Sequence, residues 1–139
     1  YTPRPVPLKR LPCIDPQAVE RLAAVGLKDT RQLFERAETR QDRGDLAALT
    51  AVPIGEMLEL VKLSDLSRAP YVGPVFARLF YEAGTDTLEK LATSRPEELA
   101  ARIRATNEEQ KLTKAALPTA EHMVSWLEIV QKIPRTIEY

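Results

Sequence analysis

The chain has 139 residues, and its 20 Lys and Arg residues are balanced by 20 Asp and Glu residues. This length suits one domain or two small ones, and the balanced charge excludes a generally basic nucleic-acid binder while leaving room for a local basic patch. One Cys and one His exclude a disulfide framework, a Cys-rich zinc site and most imidazole chemistry. No apolar run reaches the roughly 18 residues of a membrane span and no signal-peptide pattern is present, so we expect a cytoplasmic location and no membrane association.

The apolar residues favour helices, because 18 Leu and 17 Ala stand against 9 Val and 6 Ile. Leu and Ala are good helix formers, whereas Val and Ile favour strands. No segment alternates apolar and polar residues for long enough to form a strand. We therefore predict an all-α fold whose short helices are separated by Gly and Pro residues.

Residues 1–7 contain alternate prolines, which predict an extended, polyproline-like arm. A tight turn follows, in which Asp15 is an N-cap and Pro16 is the first residue of a helix. This helix should stop at Gly26, because glycine readily takes the left-handed conformation past a helix end. The spacing of Asp29 and the residues after it then predicts a second capped helix.

The rest of the first half is predicted to contain a loop and two helices. Residues 38–45 are polar and contain a glycine, which predicts the loop. A short helix should follow over residues 45–52 and end at Pro53. The next helix is predicted over residues 54–64, with its apolar side chains turned inward.

The second half repeats this plan at a shift of 58 residues. The prolines of the turn, the glycine after the helix and several core positions all match without a gap. The matched pairs are Leu8 and Leu66, Arg10 and Arg68, Pro12 and Pro70, Ile14 and Val72, Pro16 and Pro74, Leu22 and Phe80, Gly26 and Gly84, and Leu33 and Leu91. So many coincidences in one register predict an internal duplication, with a first unit over residues 8–65 and a second over residues 66–139.

After residue 91 the pattern predicts three further helices. Ser94 and Thr106 are each followed three residues later by Glu, a capping-box spacing that predicts a helix start at each. Thr119 should cap a last helix that ends before Pro134. Apolar residues recur along it at the spacing of one helix face, namely Met123, Trp126, Leu127 and Val130.

The segment over residues 68–79 resembles the helix-hairpin-helix motif, a short glycine-containing hairpin between two helices. The hairpin of that motif typically reads Pro-Gly, then an aliphatic residue, then Gly, with Ala four residues later. The matching residues are Pro70, Val72, Gly73 and Ala77, and Tyr71 stands in place of the first glycine. In the first unit Pro12 and Ile14 match, whereas Cys13 and Asp15 replace both glycines.

Over residues 8–139 the chain also resembles a family of tandem helix-hairpin-helix proteins catalogued as a domain of unknown function. The duplicated hairpins and a particular set of later residues carry this resemblance. The later residues are Asn107–Leu112, Leu117, Pro118, Trp126, Lys132–Arg135, Glu138 and Tyr139. The resemblance implies an all-α tandem fold, and it implies no reaction.

Arg68, Gly73 and Arg78 form the candidate nucleic-acid site. In helix-hairpin-helix motifs the backbone N–H groups of the hairpin point at a phosphate, a glycine lets the backbone approach closely, and nearby cations add charge. The alternative is that Gly73 and Pro74 simply start a helix. In the first hairpin Asp15 would repel a phosphate.

Tyr71 and Phe76 form the candidate protein interface. A tyrosine at a hairpin tip either packs on the neighbouring unit or is exposed as an interface anchor. Three other residues are predicted to be structural: Trp126 in the core, Cys13 as a small buried thiol in the turn, and His122 on the surface.

Together these patterns predict a non-catalytic helix-hairpin-helix binding module packed into one helical domain, with no metal and no cofactor. An unknown protein is the expected partner, weak sequence-independent nucleic-acid binding through the second hairpin is the alternative, and a small-ligand pocket between the units stays open. A basic surface patch around Arg68 and Arg78 would favour nucleic acid. An apolar patch around Tyr71 and Phe76 would favour protein.

Overall fold

The structure is a computed structural model that describes residues 4–139. Within this range the chain forms a short 3-10 turn, Leu8–Arg10, and eight α-helices. The helices are α1 (Pro16–Ala23), α2 (Thr30–Arg36), α3 (Arg40–Thr50), α4 (Ile54–Leu66), α5 (Pro74–Glu82), α6 (Leu88–Ala92), α7 (Pro96–Gln110) and α8 (Ala120–Gln131). The described residues contain no strand, only an isolated bridge between Pro7 and Asp29. The all-α prediction is confirmed, while the polyproline arm is described only from residue 4 onward.

Several predicted helix starts are confirmed by their capping hydrogen bonds. The Asp15 carboxylate accepts a hydrogen bond from the backbone N–H of Gln17 at 2.9 Å, and Pro16 is the first residue of α1. Asp29 caps α2 and Thr119 caps α8 in the same way. These side chains satisfy N–H groups that the first turn of a helix cannot satisfy internally.

The predicted loop over residues 38–45 is wrong, because α3 begins at Arg40 and includes Gly44. The hydroxyl of Thr39 accepts a hydrogen bond from the N–H of Asp42 at 3.0 Å and caps this helix. Arg43 lies on the buried face of α3, only 4% exposed. The cap and this burial outweigh the cost of roughly 1 kcal/mol that a glycine brings to a helix interior.

Two further predictions about local structure are also wrong. The helix predicted to open at Ser94 is present as α7, although it begins at Pro96 and Ser94 does not cap it; the start predicted at Thr106 does not occur, because α7 continues through this residue. The Ser94 hydroxyl instead donates to the carbonyl of Lys90 at 2.7 Å. Cys13 is exposed rather than buried, and its carbonyl accepts a hydrogen bond from the Arg78 guanidinium at 3.4 Å.

Positions separated by 58 residues share unusual backbone angles. Gly26 and Gly84 have φ of 87° and 94°, which confirms the left-handed conformation predicted at both. Cys13 and Tyr71 have φ of 63° and 64°, a region that residues with a Cβ rarely adopt. These two residues occupy the place where the hairpin motif usually has its first glycine.

Helix α4 lies at the centre of the packing. It contacts α2 and α3 of the first half and α5 and α6 of the second, while α8 packs against α6 and α7. Leu63 and Leu66 of α4 are completely buried. The buried apolar side chains in the described range form one cluster that includes residues of both halves. Within the same range no helix combines the length and the apolar character needed to cross a bilayer.

Replacing Gly26 or Gly84 with Ala should lower the free energy of unfolding by about 1 kcal/mol, because a Cβ disfavours the left-handed conformation. Gly44→Ala is the matched control, since Gly44 lies inside α3 and an added Cβ would meet no atom within 4 Å. That variant should gain up to about 1 kcal/mol from the better helix propensity of alanine. Urea denaturation measures all three, and equal effects in the three variants would contradict the assignment.

Candidate protein-interaction groove

An apolar groove lies between the second hairpin (residues 69–73), α5 and α8. Its cavity volume is about 400 Å³. The walls come from the hairpin, from one face of α5, from α8 and from the loop before it. The residues are Pro70, Tyr71, Val72, Phe76, Phe80, Pro118, His122, Met123, Ser125, Trp126 and Ile129. Both predicted interface residues, Tyr71 and Phe76, are therefore in this groove.

Trp126 holds the hairpin against α8. Its indole stacks on the ring of Phe80, with centroids 5.6 Å apart and ring planes 13° apart. Its indole N–H donates a hydrogen bond of 2.7 Å to the carbonyl of Pro70. Trp126 is therefore half-buried and forms part of the groove wall, in contrast to the core position that helical spacing predicted for it.

Tyr71 lies on the rim of the groove with 78% of its surface exposed. Ile129, on α8, is another large apolar residue of this wall that remains about half exposed. Of the two placements left open for Tyr71, packing on the neighbouring unit or exposure at the hairpin tip, the structure has the exposed one. Exposed aromatic and aliphatic side chains beside an apolar hollow are typical of interaction sites.

Arg78 points away from the groove, into the contact between the halves. It is 2% exposed and pairs with Glu59 at 2.7 Å and Glu82 at 3.1 Å. Its guanidinium also donates to the carbonyl of Pro12 in the first hairpin (residues 11–15), at 3.0 and 3.2 Å. Arg78, one of the three residues of the candidate nucleic-acid site, is thus engaged inside the protein.

Arg68 is partly exposed and is also held by internal contacts. It pairs with Asp65 at 3.1 Å and donates to the carbonyl of Pro134 at 2.7 Å. Its guanidinium carbon lies 4.3 Å from the centre of the Phe34 ring, a cation–π contact. Arg68 and Arg78 thus bond to different internal partners, and these contacts do not form one basic surface patch from the two residues.

Gly73 is the N-cap of α5, with φ of −84° and ψ of −179°, an extended conformation open to any residue. A Cβ built on it would meet no atom within 4 Å. Neither conformation nor space therefore requires glycine here. Gly73 makes no side-chain capping bond, so α5 begins without the side-chain cap that Asp15 provides to α1.

Residues 4–139 contain no group of three or more His, Cys, Asp and Glu side chains arranged to hold a metal ion. The fold thus defines an all-α protein whose distinctive surface feature is an aromatic groove beside a hairpin. Residues 12–133 match the family described as Domain of unknown function (DUF4332), and the chain belongs to this family. No curated protein and no solved structure gives a significant match.

Replacing Arg78 with Met should lower the free energy of unfolding by about 2–4 kcal/mol, because the two carboxylates and the Pro12 carbonyl lose a buried partner. Glu82→Gln is the matched control and should cost under about 1 kcal/mol, since this carboxylate is partly exposed and can be hydrated again. Thermal and urea unfolding measure both variants. Equal stability of Arg78→Met and the parent protein would show that the contact between the halves does not depend on this arginine.

Proposed function

We propose that this chain is a non-catalytic protein-interaction module made of two tandem helix-hairpin-helix units. Support for the duplicated units comes from shared features at a spacing of 58 residues. Cys13 and Tyr71 share a left-handed conformation, and the following helices begin at Pro16 and Pro74. The glycine after each of these helices also has positive φ.

The observation that carries the interaction proposal is the combination of the apolar groove with an exposed tyrosine on its rim. Apolar side chains left in water beside a concave surface lower the free energy when a partner covers them. Tyr71 can contribute both ring area and a hydroxyl, which is why tyrosine is frequent among the residues that dominate binding energy. The expected partner is a protein that inserts an aromatic or aliphatic side chain.

The first hairpin offers a different surface. Its residues, Asp15 among them, line a cavity of about 80 Å³ whose other walls include Glu56 and Glu59. Cys13 replaces the tyrosine, and three carboxylates surround a much smaller hollow. An apolar partner would gain little there, so we assign partner binding to the second unit.

Site-specific cross-linking tests the groove. A photoreactive phenylalanine analogue at position 71 should capture a partner from a lysate of the native source, whereas the analogue at position 49 should not. Leu49 is the matched control because it is 63% exposed and lies on α3, outside the groove. This step identifies the partner, and its binding is then measured directly.

The purified partner should bind the parent protein and Leu49→Ser with equal affinity. Tyr71→Ser should bind at least about tenfold more weakly, since losing a central interface tyrosine typically costs more than 1 kcal/mol. Isothermal titration calorimetry gives these dissociation constants. A Tyr71→Ser protein that binds as tightly as the parent would refute the groove as the binding surface.

Weak, sequence-independent nucleic-acid binding is the second candidate, and one observation favours the second hairpin for it. The first turn of α5 has no side-chain cap, whereas Asp15 caps the first turn of α1. Free N–H groups at a helix start can bind a phosphate. The internal contacts of Arg68 and Arg78 mean that charge reversal there would disturb the fold, so a different variant is needed.

Gly73→Asp supplies that variant, because it places a carboxylate where Asp15 stands in the first unit and meets no steric obstacle. If the protein binds DNA, anisotropy at low salt should show weak binding that is lost in Gly73→Asp and falls steeply with salt. Asp15→Gly is the matched reverse change. Equal affinity of the parent protein and Gly73→Asp would exclude the second hairpin, and no binding by the parent protein would remove this candidate.

A further inference from the structure

The segment after α8, residues 132–139, folds back onto the first half of the chain, and we call it the strap. The N–H of Glu138 donates to the carbonyl of Glu38 at 2.7 Å. The Glu138 carboxylate accepts from the backbone N–H of Arg40 at 3.2 Å, and the Arg40 guanidinium donates to the Tyr139 carbonyl. The last residues of the strap therefore lie on the connection between α2 and α3.

Tyr139 occupies a cleft between α3 and α4. Its ring centre lies 5.6 Å from the guanidinium carbon of Arg43 and 5.8 Å from the ammonium of Lys62. Its hydroxyl donates to the Asp65 carboxylate at 2.8 Å. Burial, with a further contribution from the Asp65 charge, raises the pKa of Tyr139, which keeps the phenol protonated as a donor.

The cleft is held in shape by contacts that do not involve the strap. Arg43 is almost completely buried and donates to the carbonyl of Ala37 at 3.0 Å. Asp65, also buried, accepts from the Arg68 guanidinium at 3.1 Å and from the N–H of Leu88 at 3.2 Å. A site whose own groups are already ordered binds with a smaller loss of conformational entropy.

The strap completes the hydrogen bonding of this cleft. Besides its hydrogen bond to the Ala37 carbonyl, the Arg43 guanidinium donates one to the carbonyl of Glu138 in the strap. Without the strap, the Arg43 guanidinium and the Asp65 carboxylate would each lose a hydrogen-bond partner within the protein. An empty cleft would therefore favour any segment that restores the same contacts.

We propose that this cleft is a peptide-binding site for a tyrosine preceded by an acidic residue, and that Ile137–Tyr139 is its resident, displaceable occupant. The cations Arg40, Arg43 and Lys62 complement a carboxylate and the face of an aromatic ring, and Asp65 selects a hydroxyl on that ring. A partner carrying such a segment binds once the strap has left. This site is separate from the groove and does not depend on it.

The first experiment uses a variant lacking residues 137–139 and a fluorescently labelled peptide, Arg-Thr-Ile-Glu-Tyr, which is the sequence of residues 135–139. Fluorescence anisotropy should show saturable binding to the shortened protein. Binding to the full chain should be at least about tenfold weaker, because the resident strap competes at the high effective concentration of a tethered segment. Thermal unfolding confirms that the shortened protein is folded.

Two control peptides test the chemistry of recognition. Replacing Tyr by Phe removes the hydrogen bond to Asp65, and replacing Glu by Lys reverses the charge that faces Arg40. Each should bind the shortened protein about tenfold more weakly, the usual scale for a bond to a charged group. Absence of saturable binding to the folded, shortened protein, or equal binding of the Phe peptide, would overturn the proposal.

A second variant keeps the test decisive if the shortened chain does not fold. A specific protease site inserted between Arg135 and Thr136 allows the strap to be cut after the full chain has folded. Native mass spectrometry should then show the released segment exchanging with excess free Arg-Thr-Ile-Glu-Tyr peptide. Retention of the cut segment against a hundredfold excess of peptide would show a permanent structural element and overturn the proposal.

Discussion

The buried guanidinium of Arg78 connects the two halves of the chain. From α5 it reaches the carbonyl of Pro12 in the first hairpin, and two partly exposed carboxylates, Glu59 and Glu82, balance its charge. A buried charge is tolerated only when it is paired and hydrogen-bonded, so this contact allows α5 one orientation. Phe76 and Phe80 each lie two residues from Arg78 along α5, and so on the opposite face of this helix. The orientation that Arg78 gives to α5 therefore turns both rings toward α8, where they line the groove.

Two more buried charges organise the other side of the molecule. Asp65, at the end of α4, accepts from the N–H of Leu88 and so positions the start of α6. Arg43, on α3, donates to the carbonyl of Ala37, just before this helix, and to the carbonyl of Glu138 in the strap. Neither group is in direct contact with the groove. In both places a buried charged side chain forms hydrogen bonds to backbone groups of a segment distant in sequence. Arg78 does so between the two halves, and Arg43 does so with the strap.

Local signals predicted much of the fold but little of these long-range contacts. Asp15 and the glycines after α1 and α5 act through neighbouring backbone atoms, so their roles could be predicted from adjacent residues. The helical state of residues 40–45 depends partly on the Thr39 cap, which is a local signal, and partly on the burial of Arg43 against distant partners, which spacing alone does not encode. For the same reason Arg68 and Arg78 were predicted as surface cations: a charge next to a hairpin gives no local sign that carbonyls 66 residues away will accept its hydrogen bonds.

The backbone angles at Cys13 and Tyr71 indicate how the two hairpins differ in use. A residue with a Cβ in the left-handed region costs roughly 1 kcal/mol more than glycine, and such strain is retained where the side chain or its geometry is needed. At Cys13 the strained turn directs the carbonyl toward Arg78, with an O···N distance of 3.4 Å, so the first hairpin serves the contact between the halves. At Tyr71 the strain accompanies an aromatic ring that is largely exposed to solvent. A glycine there would relieve the strain but would also remove the ring from the rim of the groove, so the second hairpin combines a strained turn with an aromatic side chain at the groove.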